Sequence, residues 1–213
     1  MDKLFNEAHR SGLAIGELTL LTLSWAFEDS LLNWLEQHNF QPLKNRPNED
    51  PISELKPQTR ETANPFSLSA TTGLDQQPLH TDGAHLRSTP DFVLLWSETA
   101  NDTSTRVWRV PRIPQDSQNG VFVVRNGKER WLTQAYNDGT IRFDPGCMSP
   151  ADQSARGLSR ILTTPPEQEI EHIHWDARGK IVVIDNKRIL HGRSRLSEGD
   201  NTRRLKRLAV KRK

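Results

Sequence analysis

Cysteine is almost absent from this chain. Cys147 stands alone among 213 residues, which excludes an internal disulfide and leads us to expect a reducing, cytoplasmic setting. Long apolar runs are missing as well. The longest, LTLLTLSWAF at residues 18–27, is broken by Thr and Ser and falls short of the roughly 20 residues a membrane-spanning helix needs. The opening MDKLFNEAHRSG lacks the basic-then-apolar order of a secretion signal. Internal repeats and low-complexity tracts are missing too. Apolar residues make up 34% and charged residues 26%, a balance that fits polar loops around a modest core and no membrane partner. A net charge of +2 names no partner by itself.

The chain does contain a change of texture. Residues 16–39 read as a packing helix, with Phe27, Leu31, Leu32, Trp34 and Leu35 as its apolar stripe. Residues 41–65, rich in Pro, Asn and charge, read as a loop lying over the fold. From residue 66 onward, short runs rich in Val, Ile, Phe and Trp alternate with turn residues: FSLSATTG, DFVLLWSE, TRVWRV, GVFVVRNG, ERWLTQAY, TIRFD and KIVVID. RNGKE and NDGT are hairpin turns. One helix interrupts the series at residues 149–164, with Ser149 as its cap, Pro150 in the first turn and Asp152 at its positive end. The expected architecture is mainly β with flanking helices, a jelly-roll sandwich or barrel with an open mouth. It forms one domain over 1–213, made of an N-terminal helix and loop segment (1–65) and a core (66–213). Trp96, Trp108, Trp131 and Trp175 are assigned to the core.

Two stretches carry chemistry. In QPLHTDGAHL (77–86), His80 and Asp82 are two apart, so in a strand they project together while Thr81 faces out and Gly83 lets the backbone turn. Far downstream, IDNKRILHGRS (184–194) is an apolar strand that turns at Asp185-Asn186 and returns to His191. There Gly192 can adopt a conformation closed to other residues. Two imidazoles and one carboxylate form the facial triad of non-haem Fe(II) sites, with three positions left for oxidant and co-substrate. His85 competes with His80. His172 and His174 form a rival pair that an alternating strand explains equally well. His9 and His38 read as surface or cap residues.

The basic ending RRLKRLAVKRK looks like a nucleic-acid tail, yet it alternates as a strand does. Arg203, Leu205 and Arg207 fall on one face, Arg204, Lys206 and Leu208 on the other. A keto acid chelating the metal, with a second carboxylate, needs a buried guanidinium at its far end, and Arg203 and Arg207 can supply it. Arg87, Arg106, Arg193 and Arg195 are either solvated charges or contacts to an anionic substrate.

QPLHTDGAHLRSTPDFVLLWSE together with GKIVVIDNKRILHGRSRLSEGDNTRRLKRLAV resembles the taurine dioxygenase and clavaminate synthase-like superfamily of Fe(II)/2-oxoglutarate-dependent oxygenases, over residues 64–210. The resemblance implies a double-stranded β-helix barrel. It makes His80, Asp82 and His191 the iron ligands and Arg203 the partner of the distal carboxylate of 2-oxoglutarate. Arg207 becomes a second arginine facing co-substrate or substrate. Thr105, with Thr103 as the alternative, becomes the threonine that helps hold 2-oxoglutarate. The implied cofactors are Fe(II), 2-oxoglutarate and dioxygen. The implied reaction is oxidation, usually hydroxylation, of an unactivated C–H of a small molecule such as an amino acid derivative. Asp82 speaks against halogenation, because halogenating relatives lack that carboxylate. The chain departs from the family in having NDTST where many relatives carry a Gly-Gly-Glu/Asp-Thr element, and in its compact length. A roof over the site would come from residues 41–65 or from a partner chain. Two other classes stay open: a non-catalytic metal- or ligand-binding jelly roll, and a nucleic-acid binder using the basic end.

Overall fold

The computed structural model describes residues 1–18, 25–44 and 49–213. Helix α1 (Asp2–Ser11) turns into β1 (Leu13–Glu17), and α2 (Trp25–Gln37) leads to the short strands β2 (Phe40–Leu43) and β3 (Ile52–Leu55) and the single turn α3 (Ser69–Thr72). Then come β4 (Phe92–Ser97), β5 (Asn101–Arg109), the turn α4 (Gln115–Gln118), the hairpins β6 (Val121–Asn126)–β7 (Glu129–Gln134) and β8 (Tyr136–Asn137)–β9 (Thr140–Ile141), β10 (Met148–Pro150) and α5 (Gln153–Thr163). The chain ends with β11 (Glu171–Trp175), β12 (Lys180–Asp185), β13 (Ile189–Arg193) and β14 (Leu205–Arg212). No helix among the described residues is long and apolar enough to cross a membrane.

The result is mainly β, with helices on the outside. A large antiparallel sheet runs β1-β12-β4-β14, and β2 and β3 share the far side of β14. A smaller sheet runs β11-β5-β13, and a third pairs β10-β6-β7. The large sheet is covered on both faces. Phe92, Leu94, Trp96, Ile181, Val183, Leu208 and Val210 pack under Phe5, Ala8, Leu31 and Leu35 of the two leading helices. Val93, Leu95, Val182, Ile184 and Leu205 meet Val107, Ile173, Trp175 and Ile189 of the small sheet. A strand covered on both faces has no polar side, which is why VLLW and IVVI show no alternation. Phe122, Phe143, Leu158 and Leu162 form a further core against Trp108 and Leu190.

Several expectations change. Within 16–39 the helix begins at Trp25, and residues 19–24 lie outside the described residues. Residues 13–17 are instead a strand, because Leu13 to Glu17 pair in register with Ile184 to Lys180. The loop reading of 41–65 omits two strands zipped onto β14; Pro42 sits there without cost because its strand is at an edge. FSLSATTG is a turn and one helical turn, closed by Thr71 and Thr72 amides and hydroxyls on the Leu68 carbonyl. Ser149 and Pro150 belong to β10. The cap of α5 is Asp152, whose carboxylate accepts from the amides of Ala155 (2.7 Å) and Val121 (3.0 Å). Both hairpin turns form, with Gly127 at φ 57 in the first and Asp138 and Gly139 at φ 45 and 78 in the second.

Because β4 is buried on both sides, Leu94→Ala and Leu95→Ala should each cost about 2–5 kcal/mol in urea denaturation. If only one of the two is costly, one face of the sheet is bare.

Candidate metal centre

The site forms where the two sheets approach each other. β12 does not return on itself after Asp185-Asn186. It pairs with β1 and β4, whereas β13 pairs with β5, so the turn carries the chain from the large sheet to the small one. His191 then lies two residues beyond Ile189, on the face turned toward the large sheet. His80 joins β13 through an isolated bridge, its amide donating to the His191 carbonyl and its carbonyl accepting from the His191 amide, both 2.9 Å. Asp82 lies in the turn that follows, with Gly83 at φ 66.

The Nε2 atoms of His80 and His191 each stand 3.5 Å from the same Asp82 oxygen, Oδ1, and the rings are 5.0 Å apart. One ligand atom from each residue fits within 4.8 Å of the others, and this is the metal-competent cluster found among the described residues. Divalent ions hold imidazole and carboxylate at about 2.0–2.2 Å, so ligands at right angles stand about 3 Å apart. The two imidazole–carboxylate separations of 3.5 Å exceed this by about half an ångström. Two imidazole nitrogens and a carboxylate oxygen are the donor set that divalent ions of this class take, while Asp82 Oδ2 and His191 Nδ1, on the far sides of their groups, are buried without a hydrogen bond.

Local contacts fix the three side chains. His80 Nδ1 lies 3.1 Å from the Pro78 carbonyl. A carbonyl only accepts, so Nδ1 carries the proton and Nε2 offers its lone pair. Asn186 clasps Asp82 from both sides. Its Oδ1 accepts from the Asp82 amide (2.8 Å) and its Nδ2 donates to the Asp82 carbonyl (3.0 Å) and to Pro90 (3.2 Å). Arg193 donates to the carbonyls of Gly73 (2.6 Å), Leu74 (3.0 Å), Asp75 (2.9 Å) and Ser194 (3.1 Å), pinning the segment that leads to His80. Gly192 is required for closeness rather than for an unusual conformation: a Cβ there would lie 2.8 Å from the Pro78 carbonyl oxygen. Thr81 does not face out. It is buried, and its hydroxyl accepts from the Phe143 amide at 3.0 Å.

Electrostatics follow from burial and pairing. Burial pushes the Asp82 carboxyl up, but the Arg207 guanidinium, with His191 and His80, outweighs it and holds the group well below the usual carboxylate range. Burial lowers His191 and its acidic neighbour does not restore it. At His80 burial acts in the same direction, yet Asp82 and Asp144 prevail and raise it.

Of the arginines and threonines, Arg207 reaches the cluster, and Arg203, Thr103 and Thr105 are buried among other partners. Arg203 is buried, its Nε donating to Asn101 Oδ1 at 3.1 Å; burial lowers its guanidinium to about 10. Arg207 Nη1 stands 3.5 Å from Asp82 Oδ2. Thr105 Oγ1 accepts from Trp175 Nε1 at 3.0 Å, so its own proton points elsewhere. Thr103 is engaged by the loop after β13: its hydroxyl bonds Asp200 and accepts from the Ser197 amide. The basic ending is β14 itself, its charges paired with Glu54, Glu28 and Asp82.

The remaining candidates lie elsewhere. His172 and His174 are exposed on β11, with rings 6.4 Å apart, and His172 Nδ1 contacts Ser104 Oγ. His85 is half-buried beyond Gly83, outside the cluster. Arg106 is buried against the Gln77 carbonyl, Arg195 faces Asp75 at the surface, and Arg87 lies over the Trp131 ring at 4.2 Å. Trp96, Trp108 and Trp175 are buried, and Trp131 is partly so. Sequence reasoning missed Asn186 and Arg193 as organisers. Their signal was position alone, Asn186 in the turn before the strand of His191 and Arg193 at the end of that strand.

No family model matches the sequence, and no curated protein does. Solved structures do share the fold. An asparagine oxygenase in complex with Fe(II), 2S,3S-3-hydroxyasparagine and succinate aligns over 98% of this chain and 77% of its own, at 15% identity and a TM-score of 0.76. The non-heme iron oxygenase OrfP, in complex with Fe and alpha-ketoglutaric acid, aligns over 99% of this chain and 79% of its own, at 18% identity and a TM-score of 0.73. OrfP with Fe, succinate and (3S)-hydroxy-L-Arg aligns over 98% and 79%, again at 18% and 0.73.

Asn186→Ala removes the clasp and leaves the Asp82 backbone groups buried and unpaired. The expected loss is about 1–3 kcal/mol in chemical denaturation, with weaker metal binding. Unchanged values for both would mean that other contacts hold Asp82.

Proposed function

We propose that the protein is an Fe(II)- and 2-oxoglutarate-dependent oxygenase of the taurine dioxygenase and clavaminate synthase-like superfamily, acting on an unactivated C–H of a small molecule, with amino acids and their derivatives the favoured class. The observation that carries this reading is the convergence of His80, Asp82 and His191, two imidazole nitrogens aimed at one carboxylate oxygen. The shared fold of the two amino-acid-bound oxygenases supports it. We read the facing sheets as a double-stranded β-helix with the centre at its mouth, and residues 1–213 as one domain, since β1, β2 and β3 complete the large sheet.

Each residue has a part in this reading. His80, Asp82 and His191 would hold the ion and leave positions open for other ligands. With 2-oxoglutarate and dioxygen bound, the iron supplies the oxidising power that a protein side chain cannot. Arg203 receives the distal carboxylate of 2-oxoglutarate, since a buried guanidinium bonded to a neutral amide invites an anion. Thr105 donates its hydroxyl proton to the same carboxylate, because Trp175 already occupies its oxygen. Val107, Ile173 and Leu205 belong to the apolar layer between the sheets. The partly buried Cys147, whose thiol burial pushes up, stays unreactive in a reducing compartment.

Anaerobic Fe(II) with 2-oxoglutarate should produce a weak visible charge-transfer band, and succinate should be released when the right amino acid is added. His80→Ala should abolish both. Arg203→Ala should raise the 2-oxoglutarate requirement at least tenfold, corresponding to about 1.4 kcal/mol. A band without succinate across amino acids and derivatives would favour a non-catalytic binding protein. The absence of any band would refute the metal reading.

A further inference from the structure

The two oxygens of Asp82 meet different surroundings. Oδ1 faces both imidazoles, while Oδ2 is buried, has no hydrogen bond, and looks at Arg207 Nη1 from 3.5 Å. Arg207 is aimed there by its strand and by a neighbour. On β14 it shares the inward face with Leu205. Its Nε donates to Ser53 Oγ at 3.2 Å, and Ser53 is its register partner on β3. One corner of the guanidinium is therefore tethered to the leading segment while another reaches the carboxylate.

We propose that Arg207, oriented by Ser53, is a positioning residue for the metal centre: it takes up Asp82 Oδ2, so that Oδ1 alone is presented to the ion. This inference rests on the metal reading above and departs from a co-substrate role for Arg207. A carboxylate that ligates through one oxygen leaves the other needing a partner, and such outer partners set ligand orientation and metal affinity. A bidentate Asp82 would consume one of the positions that co-substrate and oxidant require. The arrangement also gives β3 a function. The edge strand supplies the hydroxyl that keeps a long, flexible side chain in one place.

The test uses Co(II) in place of iron, without 2-oxoglutarate, on the full chain. Arg207→Met should weaken Co(II) binding about tenfold or more and change the visible d–d spectrum as the Asp82 coordination mode changes. Ser53→Ala, which keeps the charge and the strand, should shift the spectrum in the same direction by a smaller amount. If both variants bind Co(II) with wild-type affinity and spectrum, the inference is overturned, and a loss of 2-oxoglutarate affinity in a separate titration would then assign Arg207 to the co-substrate. A wild-type protein that binds no Co(II) would overturn the metal reading itself, and this inference with it.

Discussion

Everything near the site answers to one constraint, a carboxylate held out of water. Asp82 is 4% exposed, and an ionised carboxylate is costly to bury without compensation. Its compensation comes from three nitrogen-bearing groups at 3.5 Å, two imidazoles and a guanidinium, which reach it from β13, β14 and the bridge at His80. Asn186 satisfies the Asp82 backbone, which leaves the demand of this residue at its carboxylate. A cation between the three side chains would compensate the charge at Oδ1, while Arg207 faces Oδ2.

The same groups join the two sheets. Asp185 to Arg188 carries the chain from the large sheet to the small one, and the first residues after that crossing include His191. β14 brings Arg207 from the large sheet to face it. The apolar layer between the sheets, built on Val93, Val182, Ile184 and Val107, sets the gap across which these polar groups meet. Packing and site are thus one structure. A shift of the small sheet relative to the large one would separate His191 from Asp82 as surely as a substitution.

Much of this was readable in the amino-acid order, where the signal is local or periodic. HTD and LHGR named the three side chains that the fold brings together, and the two-residue period of the basic ending placed Leu205 and Arg207 inward and Leu208 outward, as the two apolar layers require. Asn-Gly and Asp-Gly punctuation marked real turns. What escaped depends on distant partners. Leu13–Glu17 is a strand only because β12 offers an edge, and β2 and β3 are strands only because β14 does. Ser149 has the chemistry of a cap, but β6 claims it for a ladder and leaves the capping to Asp152. Thr81 sits between two ligands, where alternation sends it outward, yet Phe143 lies there to receive it. The clasp by Asn186 and the tether by Ser53 join residues about a hundred or more positions apart along the chain, beyond any local pattern.

The most direct test of the central claim is anomalous diffraction from crystals grown anaerobically with Fe(II). The account predicts one strong peak within about 2.0–2.2 Å of His80 Nε2, Asp82 Oδ1 and His191 Nε2, the distances of divalent-metal ligation. A peak at the exposed His172 and His174 pair, or none between the sheets, would contradict it.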